Sequence, residues 1–256
     1  MNYALHILGA GAAHAVELGS SSAVLERDGR PLLLIDCGPE TLARYLHAYE
    51  EAPRAVYITH THMDHVAGLE RLFYRAWFDP ALRGKVKVYV HAALVPLLQS
   101  RVADYPNVLA EGGANFWDAF QLIALSRGFW HEGLWFDVFP TRHHAPYTSF
   151  GLALPDCFAW TGDTRPIPEI LEQHAQGHAL VAHDCTLQGN PSHSGVEDLE
   201  REYSAGLRAR LLLYHYGSAD EGRELARRGY RIAEPGMRYP LHAPEGAAAA
   251  AGEQGS

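Results

Sequence analysis

The sequence predicts an α/β fold: an αββα sandwich of two mixed β-sheets packed face to face, with helices on both outer faces. Three observations lead there. Apolar runs rich in Val, Ile, Leu and aromatic residues alternate with amphipathic stretches. These runs come first as meanders and later alternate with helical patterns, which suits two layered sheets. The chemically capable residues Asp36, His60, His143, Asp163, Asp184 and His215 each fall at the end of such a run, where α/β folds carry their chemistry.

Taken in order, strands are expected over residues 3–8, 22–27, 32–36, 55–59, 86–90, 135–139, 151–154, 157–161, 179–182, 211–214 and 230–232. Helices are expected over 39–50, 66–77, 92–101, 166–176, 196–206 and 220–228. The second helix places Leu69, Leu72, Phe73 and Ala76 on one stripe, as a core-facing helix requires. Segment 101–131 fits neither pattern. Its aromatics (Phe116, Trp117, Phe120, Phe129, Trp130) are read as packing in the core or in a dimer. A lid hinged at Gly112, Gly113 and Gly128 is the alternative. Residues 1–243 form one domain, and 244–256, rich in Ala, Gly, Glu and Gln, form a disordered tail with nothing to bury.

Composition narrows the classes. With 47% hydrophobic and 20% charged residues, the 256-residue chain has the balance of a globular protein. No apolar run approaches the roughly 20 residues that span a bilayer. No basic region precedes the first apolar stretch, so no signal peptide is read and a cytoplasmic location is expected. Three scattered cysteines, Cys37, Cys157 and Cys185, argue against a disulfide framework and against a thiolate zinc cluster. The net charge of −9 and the lack of a basic stripe disfavour a long nucleic acid partner.

The chemistry concentrates in Thr59-His60-Thr61-His62-Met63-Asp64-His65. Residues two apart on an extended chain share a face, so His60 and His62 project together. Asp64 and His65 lie where the chain turns into a helix and converge from another direction. Imidazole with carboxylate suits zinc first, with manganese or iron(II) as alternatives, and favours activation of water.

His-x-His-x-Asp-His followed by a small residue and Gly68-Leu69 resembles the signature of the metallo-β-lactamase superfamily. Gly9-Ala10-Gly11, Leu34-Ile35-Asp36-Cys37-Gly38, Thr161-Gly162-Asp163-Thr164 and Tyr214-His215 stand in the superfamily's order. The resemblance implies two divalent metal ions. His60, His62 and a histidine after the strand at 135–139 would hold one, and Asp64, His65 and His215 the other, with Asp163 between them. Pro140-Thr141-Arg142-His143 favours His143 as that histidine, with His144 as the fallback, because neighbours on an extended chain face opposite ways. Asp36 either accepts a histidine N–H behind the site or shapes a turn.

His183-Asp184-Cys185-Thr186 and Pro191-Ser192-His193-Ser194 resemble paired elements of the ribonuclease Z-like phosphodiesterases. Carried over, His193 is the general acid and Asp184 its orienting partner, with Asp64 the third residue given a catalytic role. Only 20 residues separate His143 from Asp163, leaving no room for the arm with which ribonuclease Z clamps tRNA. The resemblance therefore implies a metal-dependent phosphodiesterase that hydrolyses a small, cyclic nucleotide or ribosyl phosphodiester through a two-metal-activated hydroxide, with a homodimer as a further implication. The rivals are a lactonase, thioesterase or β-lactamase-like hydrolase of the same fold, a tRNA 3′ endonuclease, and a metal-storage protein.

Overall fold

The structure is a computed structural model and describes residues 1–104 and 113–244. The chain opens with an antiparallel meander, β1 (Tyr3–Gly9), β2 (Ser22–Arg27) and β3 (Arg30–Ile35). Three parallel strands extend it: β4 (Ala55–Ile58), β5 (Val86–His91) and β6 (Phe120–Leu125). The second sheet starts with another meander, β7 (Gly128–His131), β8 (Leu134–Pro140), β9 (Phe150–Leu154) and β10 (Phe158–Trp160). It continues with parallel β11 (Leu180–Asp184), β12 (Leu211–Tyr214) and β13 (Arg231–Ile232). The last strand, β14 (Arg238–Leu241), returns to pair antiparallel with β1. Each mixed sheet has seven strands, ordered β14-β1-β2-β3-β4-β5-β6 and β13-β12-β11-β10-β9-β8-β7. This is the expected sandwich.

Parallel strands buried on both faces read as continuous apolar runs. Accordingly β4 (Ala55, Val56, Tyr57, Ile58) and β12 (Leu211 to Tyr214) are buried throughout. The core between the sheets is aromatic: Trp160 stacks on Tyr214 at 4.1 Å, and Phe129 stacks on Tyr89 at 4.2 Å and on Phe136 at 5.1 Å. The helices are α1 (Thr41–Tyr49), α2 (Met63–Val66), α3 (Gly68–Phe78), α4 (Val95–Leu98), α5 (Pro168–His174), α6 (Val196–Glu202), α7 (Ala205–Arg208) and α8 (Ala219–Arg227). Helix α3 buries the predicted stripe Leu69, Leu72, Phe73 and Ala76.

Two stitches join the sheets along one edge, and they position the site. Beyond β4, Phe150 N donates to Thr59 O at 2.9 Å, and Tyr57 OH donates to the carbonyls of Phe150 and Gly151. Beyond β12, His215 N donates to Ala10 O at 2.7 Å and Ala12 N to Tyr216 O at 3.1 Å.

Several expectations need correction. β6, β7 and β14 were not predicted. Much of segment 101–131 is strand and core: Phe116 stacks on Phe73 at 5.4 Å, and Phe116, Phe120 and Phe129 are buried while Trp130 is exposed. Gly128 is no hinge, because it opens β7 with no room for a Cβ, which would sit 2.4 Å from Phe136 O. Gly112 and residues 245–256 of the expected tail lie outside the described residues. The helix expected over 92–101 is a 3-10 turn (Ala92–Leu94), α4 and a π turn (Gln99–Ala103). That over 196–206 breaks after Glu202, where Ser204 caps α7 by accepting from Leu207 N. The three cysteines are buried and free, as expected. Among the described residues no helix is long and apolar enough to cross a membrane.

Candidate metal centre and its flanking histidine

The first sheet delivers His60, His62, Asp64 and His65 from the loop after β4 and from α2, while the second delivers Asp184 from the end of β11 and His143, Asp163, His193 and His215 from the loops after β8, β10, β11 and β12. Backbone packing fixes the first set. Cys37 N donates to His65 O at 2.8 Å, and Gly68 N donates to Cys37 O at 2.8 Å. A Cβ on Gly68 would lie 2.2 Å from Gly38 O, so only glycine allows this approach. That is the physical content of the small residue and glycine after the histidines.

Three groups of ligand-type residues result among the described residues, each with donor atoms within 4.8 Å of one another: His60, His62, His143 and Asp163; Asp64, His65, Asp163 and His215; and, sharing two of these, Asp163, Asp184, His193 and His215. His62 Nδ1 lies 3.2 Å from both His60 Nε2 and His143 Nε2. Asp163 stands between the first two groups, with Oδ2 at 3.5 Å from His60 Nε2 and 3.4 Å from His215 Nε2, and Oδ1 at 3.4 Å from His65 Nε2. Burial alone would raise the Asp163 carboxyl, but the charges of His215, His65 and His60 outweigh it and hold it well below the usual range. Burial also depresses His60 and His62, and takes His143 down to about 4. Those three are the neutral imidazoles that a cation needs, whereas at His65 and His215 burial is outweighed by Asp163 and the neighbouring carboxylates, which raise both, His215 to about 9.

The residues fit divalent cations. His65 Nε2, Asp163 Oδ1 and His215 Nε2 are buried without a hydrogen-bond partner. Orphaned buried polar atoms are costly, and these converge on common points. Cations at those points would satisfy them.

Of the two adjacent histidines, His143 is the buried one beside His62, and His144 is exposed. The reason differs from the expected strand alternation. Both lie in a bend after β8, and His144 turns out through a left-handed backbone at φ 52°. Its ring still sits 4.9 Å from that of His62.

Asp36 fills both roles left open for it. It turns the chain at φ 60°. Its Oδ2 accepts from His65 Nδ1 at 2.8 Å, and its Oδ1 from Thr59 N at 2.8 Å. Asp184 Oδ2 accepts from His193 Nδ1 at 2.8 Å and from Thr164 N at 2.9 Å, while Oδ1 faces His215 Nδ1 at 3.6 Å. Burial pulls His193 down, but its bond to Asp184 outweighs this and raises it. His183, given no role, is buried and bonded to Tyr203 OH at 2.6 Å.

Sequence reasoning missed Thr59, whose Oγ1 links Asp36 Oδ2 at 2.8 Å to His60 Nδ1 at 3.0 Å. It also missed the Ser192 carbonyl, which accepts from His143 Nδ1 at 2.9 Å. The first could be sought as the hydroxyl flanking the motif; a backbone acceptor leaves no sequence signal.

An Anti-Pycsar protein Apyc1 from Paenibacillus harenae is 30% identical over 248 residues, covering 93% of this chain and 99% of that relative. Among solved structures, the metallo-β-lactamase fold protein YhfI from Bacillus subtilis superposes with a TM-score of 0.73 at 18% identity, covering 94% of this chain and 100% of that one. A diphosphatase from the PhnP family gives 0.73 at 19% identity, covering 94% and 97%. The fold is thus the metallo-β-lactamase fold that the motifs implied. Residues 3–239 match the family described as Anti-Pycsar protein Apyc1, and the chain belongs to that family.

Proposed function

We propose that this protein is a metal-dependent phosphodiesterase acting on a small cyclic nucleotide or ribosyl phosphodiester. The observation that carries the reading is the His193–Asp184 pair, 2.8 Å apart, at the rim of the first two ligand groups, where the His193 ring stacks 4.7 Å from that of His215. His60, His62, His143 and Asp163 would hold one divalent ion, and Asp64, His65, Asp163 and His215 a second, zinc being the first candidate for both. Bound there, such ions lower the pKa of water to about 7 and take up charge on phosphate oxygens. Hydrolysis also requires a proton for the departing alkoxide. His193 would give it: Asp184 holds Nδ1, fixing the ring and leaving Nε2 to carry the proton.

The short span between His143 and Asp163 holds only β9, β10 and their turns, which favours a small substrate over tRNA. The net charge of −9 favours the same. The PhnP-family neighbour, a diphosphatase, is consistent with phosphoryl chemistry on this fold.

The test is a screen of the metal-loaded protein against 2′,3′- and 3′,5′-cyclic nucleotides, bis(p-nitrophenyl) phosphate and a lactone. Turnover of phosphodiesters and not of the lactone is expected. Lactone turnover alone would refute the reading.

A further inference from the structure

Beside the metal centre lies a cleft of about 260 Å³, lined by Pro140, His144, Pro146, Tyr147, Arg165 and Ile170 among others. We propose that it binds the heterocyclic base of the substrate, an inference that rests on the phosphodiesterase reading above.

The cleft begins one ring away from the proposed ligands. His144 forms part of its wall, and the His144 ring lies 4.1 Å from that of His143 and 4.9 Å from that of His62. Ser192 Oγ meets His144 Nδ1 at 3.2 Å, holding that wall against the loop that carries His193. A phosphodiester at the centre would therefore have its sugar and base directed along this wall.

Two side chains in the cleft keep groups that the fold does not use. Tyr147 is 65% exposed and has no hydrogen bond or ring partner among the described residues. Its backbone sits at φ 61°, a conformation that a bulky residue adopts at a cost. Packing does not explain an aromatic ring held out under strain; a planar ligand does. Arg165 is the second. Its Nε donates to Arg142 O at 3.2 Å, but its terminal nitrogens have no partner among the described residues. Neighbouring Arg142 differs, being taken up by Pro166 O and Glu169.

A flat aromatic surface, apolar edges from Pro140, Pro146 and Ile170, and free guanidinium donors together match a nucleobase. The ring stacks on Tyr147, and base carbonyl or ring-nitrogen acceptors meet Arg165. A bare ribosyl phosphate offers nothing to this cleft.

The test compares the parent with Tyr147→Ala, Tyr147→Phe and Arg165→Gln, metal content checked equal. Kinetics are measured on the four 3′,5′-cyclic nucleoside monophosphates and on the base-free methyl riboside 3′,5′-cyclic phosphate. Tyr147→Ala is expected to raise KM for at least one nucleotide about tenfold with kcat within about twofold, while Tyr147→Phe stays near the parent. Arg165→Gln is expected to raise KM by about fivefold with altered preference among the bases. The base-free substrate should change by less than about twofold throughout. Equal losses on nucleotides and on the base-free substrate, or no change, would overturn the cleft. If no phosphodiester is turned over, the reading above fails and titration with nucleoside 5′-monophosphates decides the cleft. Affinity reduced about tenfold in Tyr147→Ala upholds it. Undetectable or unaltered binding overturns it.

Discussion

Asp36 and His65 are joined by a 2.8 Å contact between Oδ2 and Nδ1, buried completely at the junction of the first sheet and α2. A carboxylate can only accept, so it keeps the proton on Nδ1 and turns the Nε2 lone pair toward the centre. Its second oxygen is already taken by Thr59 N. Asp36→Asn tolerates the left-handed backbone but offers one acceptor where two are needed. It is expected to weaken metal affinity by about 10- to 100-fold. Competition with a chromophoric chelator measures this, and unchanged affinity would show that Asp36 serves the turn alone.

The adjacent histidines separate cleanly. His143→Ala should lose bound metal from the group containing His60 and His62, whereas His144→Ala should retain full metal content by elemental analysis. The opposite pattern would make His144 the ligand.

His193→Ala is expected to reduce kcat by about 10²- to 10⁴-fold, the range for a positioned proton donor, with metal content intact. Near-parent turnover of phosphodiesters would remove His193 from the mechanism.

The backbone approach at Gly68 predicts a structural effect with a functional shadow. Gly68→Ala drives a Cβ toward Gly38 O and Cys37 O, and is expected to cost about 1–3 kcal/mol of stability while displacing Asp64 and His65. Urea unfolding of apoprotein and a metal titration report the two effects; unaltered values in both would refute the argument.

Away from the centre, buried Glu26 accepts from Tyr49 OH at 2.6 Å and from Arg238 Nε at 3.0 Å, with His6 Nδ1 donating to Tyr49 OH at 2.7 Å. Burial alone would raise its carboxyl, but bonds from His6 and Tyr49 and the charge of Arg238 leave it below its ordinary 4.5. A depressed carboxyl stabilises the fold above pH 4.5, and that contribution fades as pH falls through the folded-state value. Glu26→Gln should therefore cost about 1–3 kcal/mol at neutral pH. The gap to the parent should narrow in acid, as the pH falls below 4.5. Equal gaps at both would refute the assignment.

How much of this was legible in the sequence follows from what each element looks like locally. The loop from His60 to His65 stands out because four ligand types crowd six positions beside a fully apolar strand. Asp163 and His215 needed the resemblance, since one carboxylate and one imidazole are individually unremarkable. Strand β14 hid because Pro240 and alternating exposure disguise it; as an edge strand it tolerates the missing donor. β6 and β7 hid among aromatics whose burial depends on Phe73 and Tyr89, distant in sequence. Helix 196–206 was over-extended because a Ser204 cap inside a helical pattern is visible only once the chain bends.

The split of the centre between two sheets also bears on how the protein matures. His60 to His65 emerge with the first sheet, but His215 follows β12, the penultimate strand of the second. The proposed metal pair could not be completed on a nascent chain before nearly the whole sandwich exists, because His215 lies far along the sequence from Asp64 and His65. Under the proposed assignment the first ion's ligands, His60, His62, His143 and Asp163, are all present once β10 has formed, so it is the second ion whose capture would report a finished fold.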